Sequence, residues 1–477
     1  MRRGLLMSRI EKDFLGEMEI DDEAYYGVQS KRAAQNFMVT GISVSPELIH
    51  ALGIVKKAAA TVNIKLGYLN KKKGEAIVQA AEEIREGKFN EEVILDSIQG
   101  GAGTSINMNI NEIIANRALE ILGYDKGDYA HVHPNTDVNM AQSTNDVIPT
   151  AVRIATIKKI DGLIEAAKLL KKRLAEKEEE FDDILKLGRT QLQDAVPIRL
   201  GQEFGAYRKT VDRFLNRIKE IRNDLTEINL GATAVGTGLN ADPKYIELAI
   251  KELRKNTGLK LESTDNLVDG TQNTDVFVEI SGRLKTFASS LSKIANDLRL
   301  LDSGPQAGLN EINLPAVQPG SSIMPGKVNP VIPEMVNQAS FQVLGNDQTI
   351  TLASEAGQLE LNVMMPVMLF NVLQSINILT NVNRIFAEKC IKDITVNRQR
   401  CNEFVERSVG IVTALNPHIG YTKACEVAKR SLREDKSIKE IILEEEIMSE
   451  EKLSQILNPI EMTEPGIAGE QLLPKEA

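Results

Sequence analysis

The sequence has 477 residues, of which 42% are hydrophobic and 26% charged, and its formal net charge is -10. A chain of this length can bury a large core and is expected to form about three domains. The acidic balance argues against non-specific binding to nucleic acid or to an acidic membrane, so an anionic ligand would have to be held by local donors.

The cysteines and the start of the chain indicate where the protein works. Cys390, Cys401 and Cys425 have neither CxxC spacing nor a histidine partner at metal-ligand spacing, so we expect reduced, structural thiols and no metal site. The chain lacks an apolar run of roughly eighteen residues, and its basic start is too short for a secretory signal. These features favour a cytoplasmic protein without a membrane segment, with its true start at Met1 or Met7.

The first region, residues 1–142, is predicted to be a helical N-terminal domain. Apolar residues have helical spacing from about Pro46 to Leu66 and from Lys73 to Glu86, with polar connectors between them. Two consecutive helices are therefore expected here.

A glycine-rich turn, Gly100–Ser105, leads into a predicted helix over Ile106 to Leu122. Gly123 is placed to end that helix, and Thr104 or Ser105 to cap its start. A phosphate-binding loop is disfavoured because no Lys-Ser or Lys-Thr pair follows the glycines. A turn that only packs and caps remains the alternative to a ligand site.

Gln142–Asp146 is another polar cluster, and a long helix is predicted to follow it. An apolar stripe with helical spacing occupies one side of that helix, and Lys, Arg and Glu occupy the other. The stripe comprises Ile157, Ile160, Ile164, Ala167, Leu170 and Leu174.

Gly188–Pro197 is a further polar cluster, again expected at the start of a helix. Two periodic runs follow, in which apolar residues alternate three and four positions apart. The first is Phe204, Tyr207, Val211, Phe214, Ile218, Ile221, Leu225 and Ile228, and the second is Phe277, Ile280, Leu284, Phe287, Leu291, Ile294 and Leu298. Such alternation is typical of antiparallel bundles, so an all-α protein is predicted, with a central helical bundle over residues 143–395.

The segment Gly320–Pro330 combines two Gly, two Pro, two Ser, one Lys and one Asn. This composition predicts a loop rich in donors and hinges. Asn329 suits an N-cap and Pro330 the first position of the next helix. The unpaired N–H groups of that helix start, with Lys327 close by, suit an anionic ligand. A mobile surface loop with a routine cap is the alternative.

A charge-poor helix is predicted from Met335 to about Leu361, and its neighbours are expected to be other subunits. The alternative is a central helix inside one large monomeric core. After an apolar segment from Val363 to Ile385, short charged helices are predicted to form a C-terminal domain over residues 396–477. A loose tail is expected after Gly466.

Hydroxyl or amide side chains at a predicted helix start recur around Thr104, Ser143 to Asn145, Thr190 to Gln191 and Ser321 to Asn329. Uncharged donors and helix N-termini bind carboxylates well, and a dicarboxylate needs two such sets. Because an antiparallel bundle places helix starts at opposite ends, convergence of the clusters would need several subunits.

The segment Gly320–Pro330, continuing as Val331–Glu334, resembles the signature of the aspartase/fumarase superfamily. The resemblance extends from about Asp13–Gly16 to about Met462–Gly466. It implies an all-α homotetramer with a multi-helix core, in which three subunits contribute to each site. It also implies elimination from a succinyl-type substrate to release fumarate, without a cofactor or a metal.

Carried over residue by residue, the resemblance makes Ser321 the general base that takes the Cβ proton. Lys327 and Asn329 become anchors of a substrate carboxylate. The remaining substrate contacts are Thr104, Ser143, Thr144, Asn145, Thr190 and Gln191. A serine must be stabilised as an alkoxide to act as a base, and the loop, with Gly320 and Gly326 as hinges, offers the amides of Ser322, Ile323 and Met324.

Within the superfamily, Asn310–Pro315, Val331–Glu334 and Leu352–Leu361 resemble the aspartase branch, which implies reversible elimination of ammonia from L-aspartate to give fumarate. The alternative is a class II fumarase. Fumarases usually carry His where this chain has Gln191, and so do some aspartases. Gln191 can still donate a hydrogen bond to a carboxylate. His133–Asn135 resembles a secondary anion site of fumarases, and we interpret His133 as structural.

Two other kinds of relative fit less well. Argininosuccinate and adenylosuccinate lyases use different flanking motifs. A catalytically silent, crystallin-like protein would have no reason to keep Thr190, Ser321, Lys327 and Asn329 together.

Overall fold

The computed structural model describes residues 8–473, and it is predominantly helical. The helices are α1 (Val28–Asn36), α2 (Pro46–Leu66), α3 (Lys71–Arg85), α4 (Thr104–Leu122), α5 (Thr144–Glu180), α6 (Leu200–Asp224), α7 (Pro243–Thr257), α8 (Asp269–Gln272), α9 (Asp275–Leu301), α10 (Val331–Glu355), α11 (Met365–Lys389), α12 (Arg398–Arg407), α13 (Val412–Ile419), α14 (Tyr421–Glu434), α15 (Ile438–Glu444), α16 (Glu450–Ile456) and α17 (Pro459–Thr463). The predicted all-α class is confirmed.

The strands form short two-stranded sheets. Antiparallel pairs are β1 (Ser8–Asp13) with β2 (Gly16–Asp21), β3 (Leu185–Thr190) with β4 (Gln193–Arg199), and β7 (Ile312–Asn313) with β8 (Thr395–Val396), while β5 (Glu227–Ile228) pairs in parallel with β6 (Glu262–Ser263). The longest of these, β1–β2 and β3–β4, are hairpins on an otherwise helical protein.

The apolar periodicity of the sequence identifies the core of the long helices α5, α6 and α9. Every residue of the three predicted stripes is buried, with at most 7% of its surface exposed. Each such Leu, Ile or Phe stabilises the fold by about 1.5–3 kcal/mol through burial. The second stripe runs past the helix, because α6 ends at Asp224 and Ile228 lies in β5.

The described chain forms two compact units. One comprises residues 8–165, 215–288 and 340–380, and the other comprises residues 166–214, 289–339 and 381–473. Each of the five long helices, α5, α6, α9, α10 and α11, contributes residues to both units. The three predicted domains, with boundaries at 142/143 and 395/396, stay a prediction.

Helix α10 is shorter than predicted, because it ends at Glu355 and not near Leu361. Asn362 Nδ2 donates hydrogen bonds to the carbonyls of Ala353 and Ser354 at 3.0 and 3.1 Å, which satisfies two of the last carbonyls of the helix.

Helix α11 is long and apolar enough to cross a membrane, but 67% of its apolar window is buried inside the protein, as in a core helix.

The C-terminal helices α12–α17 confirm the prediction of short charged helices after the apolar segment that ends at Ile385. The loose tail expected after Gly466 is wrong for residues up to Leu473. Ala468 is buried in an apolar cluster with Leu415 and Ile456, and its carbonyl lies 2.8 Å from His418 Nε2. The possible start at Met7 lies outside the described residues.

Candidate active site

The segment Gly320–Asn329, called here the serine loop, is closed by hydrogen bonds between its two ends. The N–H of Gly320 donates to the Lys327 carbonyl at 2.8 Å, and Asn329 Nδ2 donates to the Gly320 carbonyl at 2.6 Å. A Cβ at residue 320 would lie 2.4 Å from the Lys327 oxygen, so only glycine allows this closure. Gly326 has a φ of +82°, which also favours glycine.

Within the serine loop, the Ser321 hydroxyl oxygen accepts two backbone hydrogen bonds. They come from the N–H groups of Met324 at 2.9 Å and Ile323 at 3.2 Å. The amide of Ser322, the third predicted donor, makes no such bond among residues 8–473. Because N–H donors bind an anionic oxygen more strongly than a neutral one, this arrangement favours the alkoxide form of Ser321.

The serine loop leads into α10, whose first residue is Val331. The prediction that Asn329 caps this helix, with Pro330 in its first position, is wrong. Pro330 precedes the helix, and the Asn329 side chain closes the loop instead. The N–H groups of Val331 and Glu334 donate to the carbonyls of Asn329 and Pro330, and Pro333 has no N–H. An anion would therefore be attracted here by the exposed Lys327 and by the helix dipole.

Thr190 and Gln191 lie at the tip of the β3–β4 hairpin, and the prediction that they start a helix is wrong. Gln191 and Leu192 form the turn with φ of +56° and +60°, the hand that matches the twist of paired strands. Helix α6 begins only at Leu200. Both Thr190 and Gln191 are exposed, so they can reach a ligand or another subunit.

A buried ion cluster, which sequence reasoning missed, holds the base of this hairpin. Glu311 is fully buried and accepts a hydrogen bond from Arg189 at 2.9 Å, while Lys186 Nζ lies 3.5 Å from its second carboxylate oxygen. Loss of Glu311 would leave Arg189 without its carboxylate partner, whereas Lys186 would keep Glu203, 3.3 Å away. The cluster therefore fixes β3, the strand that ends at Thr190.

In the other unit, the starts of α4 and α5 lie side by side. A Cβ at Gly103 would lie 3.2 Å from the side chain of Ile148, and Asn107 Nδ2 donates to Thr144 Oγ1 at 3.3 Å. Thr104 is the first residue of α4, and the residue before it, Gly103, occupies the cap position, so the predicted cap at Thr104 or Ser105 is wrong. The structure thus brings the Thr104 and Thr144 clusters together.

The side chains at the start of α5 have defined partners. Ser143 Oγ accepts the N–H of Asn145 at 3.2 Å, and Asn145 Nδ2 donates to the Ala234 carbonyl at 2.7 Å. The second of these bonds uses one N–H of the Asn145 amide, and it leaves the other N–H as a donor and Oδ1 as an acceptor for a ligand.

Two buried charged residues lie behind this helix start: Lys56, which sequence reasoning missed, and Asp146, which it placed in the polar cluster without a role. Lys56 Nζ donates to Asn139 Oδ1 at 2.8 Å and to Gln142 Oε1 at 3.0 Å, and burial lowers the pKa of Lys56 to about 7. Burial raises the pKa of the Asp146 carboxyl to about 6. A lysine inside the apolar stretch of α2 was the sequence signal for Lys56.

His133 acts as a cap for the π-helical turn Pro134–Val138. Its Nδ1 accepts the N–H groups of Asn135 at 3.1 Å and Thr136 at 3.2 Å. This geometry supports the structural interpretation of His133.

The predicted site residues fall into three groups. Thr104 and Ser143–Asn145 form one group. The hairpin tip and the serine loop belong to the other unit, where no hydrogen bond joins the two within residues 8–473.

The chain matches the family model described as Lyase over residues 16–345 and the model described as Fumarase C C-terminus over residues 411–464. It is 56% identical to the aspartate ammonia-lyase of Bacillus subtilis, covering 100% of both chains. Its fold matches a cobalt-bound fumarate lyase:delta crystallin from Brucella melitensis with a TM-score of 0.94 and 49% identity, over 96% of this chain and 100% of that one. A class II fumarase from Schistosoma mansoni matches with a TM-score of 0.91 and 35% identity, with the same coverage.

Proposed function

Because the chain belongs to this lyase family, we propose that it is an aspartate ammonia-lyase, which removes ammonia reversibly from L-aspartate to give fumarate. Relatives with that name are 47–58% identical over nearly their whole length, against 35% for the class II fumarase. This difference supports the ammonia-lyase branch over the fumarase alternative.

The observation that carries the mechanism is the pair of backbone N–H groups on Ser321 Oγ. A serine hydroxyl is too weak an acid to supply a base at neutral pH unless its alkoxide is stabilised. Preorganised backbone donors do this without reorganisation when the charge forms. Ser321 would then take a proton from the carbon next to the leaving ammonium, and the electron pair would delocalise into the neighbouring carboxylate.

The resulting dianionic carboxylate needs a concentration of positive charge. The exposed Lys327 supplies a full charge, and the N-terminus of α10 adds the partial positive charge of its helix dipole. Asn329 uses one N–H to close the loop and retains a second for the substrate. The serine loop would therefore bind the carboxylate that gains charge in the transition state.

The other groups suit the rest of the substrate. Thr104 and Ser143–Asn145 combine two adjoining helix N-termini with neutral hydroxyls, and this combination suits the second carboxylate of the substrate. Asn145 Oδ1 is a hydrogen-bond acceptor, which suits the ammonium group of the substrate. Thr190 and Gln191 project from the hairpin tip, and their exposed side chains can donate hydrogen bonds to a substrate bound at a neighbouring subunit. No step in this scheme requires a cofactor.

Assembly as a homotetramer with shared sites is part of the proposal. The outer face of α10 carries Phe341 and Leu352, which are 63% and 55% exposed, with Leu344 between them at helical spacing. An apolar stripe of this kind on a long helix suits packing against another copy. The free thiols of Cys390 and Cys401, both buried, suit the reducing cytoplasm.

The test compares L-aspartate with L-malate as the source of fumarate, followed by ultraviolet absorbance. Fumarate from L-aspartate alone supports the proposal, and fumarate from L-malate alone would move the chain to the fumarases. Ser321→Ala should lower kcat at least about tenfold, while the affinity for substrate changes by less than about tenfold, since a proton acceptor and not an anchor is lost. The neighbouring Ser322→Ala, whose hydroxyl has no such role, is the matched control.

A further inference from the structure

A buried carboxylate joins the start of α5 to the loop Asn229–Gly238, called here the glycine loop. Asp146 Oδ2 accepts the N–H groups of Gly231 at 3.0 Å and Thr233 at 3.1 Å, and its Oδ1 accepts the N–H of Ser143 at 2.9 Å. Asp146 is 0% exposed. One side chain therefore fixes two segments that lie far apart in the sequence.

Asn145 adds two hydrogen bonds to the same loop. Its Nδ2 donates to the Ala234 carbonyl at 2.7 Å, and its own carbonyl accepts from Asn229 Nδ2 at 3.0 Å. Since Asn145 is a proposed substrate contact, the glycine loop directly touches a residue of the site.

The glycine loop is held in an unfavourable backbone conformation. Thr233 has a φ of +56°, which is rare for a β-branched residue. A Cβ at Gly236 would lie 2.3 Å from the Cα of Val268, so the loop is also tightly packed. Strained positions of this kind persist where the surrounding structure imposes them, and they cluster at functional sites.

The side-chain hydroxyl of Thr233 is buried and has no hydrogen-bond partner among residues 8–473. Thr233 is 6% exposed. Buried hydroxyls are nearly always paired, so this one is available to a water or a ligand beside the site.

We propose that the glycine loop is a fourth segment of the active site and that Asp146 is the positioning residue that holds it against Ser143–Asn145. The inference rests on the proposed function. Asp146 touches no substrate in this scheme. It fixes the backbone from which Ser143, Thr144 and Asn145 project, and it places the Ala234 carbonyl that sets the orientation of the Asn145 amide.

The nearby charge fits this role. Lys56, buried behind the same helix start, interacts electrostatically with Asp146 and favours its ionised form against the effect of burial. An ionised carboxylate binds backbone N–H groups more strongly than a neutral amide does. Asp146→Asn is therefore the informative substitution, since it keeps the shape and replaces one accepting oxygen by a donor.

The first experiment compares Asp146→Asn with Glu112→Gln in the full-length enzyme. Glu112 is the matched control because it is a buried carboxylate of the same unit that also collects backbone N–H groups, from Gly27, Gln29 and Ser30, away from the proposed site. Asp146→Asn should raise the KM for L-aspartate, and the Kd for the unreactive dicarboxylate succinate, at least about tenfold, since small misplacements of binding groups have effects of this size. Glu112→Gln should change both by less than about twofold. A folded Asp146→Asn enzyme with wild-type KM and Kd would overturn the inference.

The second experiment does not depend on a variant that folds. Succinate bound to the wild-type enzyme should slow amide hydrogen exchange in residues 229–238 as well as in residues 143–147. Slowing in residues 143–147 alone would exclude the glycine loop from the site. If the wild-type enzyme neither converts L-aspartate nor binds succinate, the proposed function itself fails, which is a different result from failure of the positioning role.

Discussion

The closure of the serine loop predicts that Gly320→Ala lowers the activity of the enzyme without unfolding it. A Cβ at residue 320 would lie 2.4 Å from the oxygen of Lys327 and 2.8 Å from the nitrogen of Asn329. Both are backbone atoms, so neither can rotate away, and the loop must open. Loss of the two closing hydrogen bonds, at about 0.5–1.5 kcal/mol each, would reduce the closed population about 5- to 150-fold.

The assay is the initial rate of fumarate formation from L-aspartate, with kcat/KM expected to fall by about that factor. The Tm should change little, because the serine loop is mostly exposed and its hydrogen bonds are internal. Gly326→Ala is the control within the same loop. Its Cβ would meet nothing within 4 Å, so it carries only the cost of a left-handed alanine, about 1–2 kcal/mol, and its loss should lie in the lower part of the same range. A Gly320→Ala enzyme with more than half of the wild-type kcat/KM would refute the need for closure.

Three further substitutions test separate parts of the structure. Lys327→Ala should raise the KM for L-aspartate about ten- to a hundredfold, because a charge-assisted contact of about 1.5–3 kcal/mol is lost, and an unchanged KM would mark Lys327 as a solvated loop residue. Gly27→Ala should lower the free energy of unfolding by about 1–3 kcal/mol through overpacking, since its Cβ would lie 2.6 Å from Glu11 Oε2 and 2.7 Å from the Tyr129 hydroxyl. The control is Gly162→Ala, whose Cβ would meet nothing within 4 Å and which should leave the free energy of unfolding unchanged in the same denaturation experiment. Burial lowers the pKa of Lys56 from 10.5 to about 7, so the stability linked to this group is full above pH 10.5 and is lost as the pH falls through about 7. Wild type should therefore gain stability relative to Lys56→Met as the pH rises across this window, and a constant difference would contradict the shift.

Helices and core residues could be predicted because long amphipathic helices repeat their burial every three or four residues. Phe204 and Leu298, for example, belong to periodic apolar runs and lie on the buried faces of their helices. The serine loop could also be predicted, since Gly, Pro, Ser and Asn together disfavour any regular element. In both cases the cause lies within a few neighbouring residues.

The hairpin could not be predicted in the same way. Its tip uses Gln191 and Leu192 at positive φ, without the Asn-Gly or Asp-Gly pair that signals such a turn. Its support comes from Glu311, which lies more than a hundred positions away in the sequence. The contacts of Asp146 with Gly231 and Thr233 span 85 and 87 positions, so no local pattern could reveal them.

The sharing of sites between chains is the prediction that joins the three groups of residues. Thr190 and Ser321 belong to one unit of the chain, and no hydrogen bond within residues 8–473 joins their segments. If each site takes them from different subunits, inactive Thr190→Ala and inactive Ser321→Ala proteins can complement each other after joint denaturation and refolding. With equal amounts, each position is wild type with a probability of one half, so about a quarter of sites should carry neither change.

Activity should then return to about that fraction of wild type, while each variant refolded alone stays inactive. If both residues come from one chain, every site keeps one change and no activity returns, whatever the mixing ratio. A monomeric mass by light scattering would lead to the same conclusion by another route, because a monomer would leave Phe341 and Leu352 in water and could not build a site from several chains.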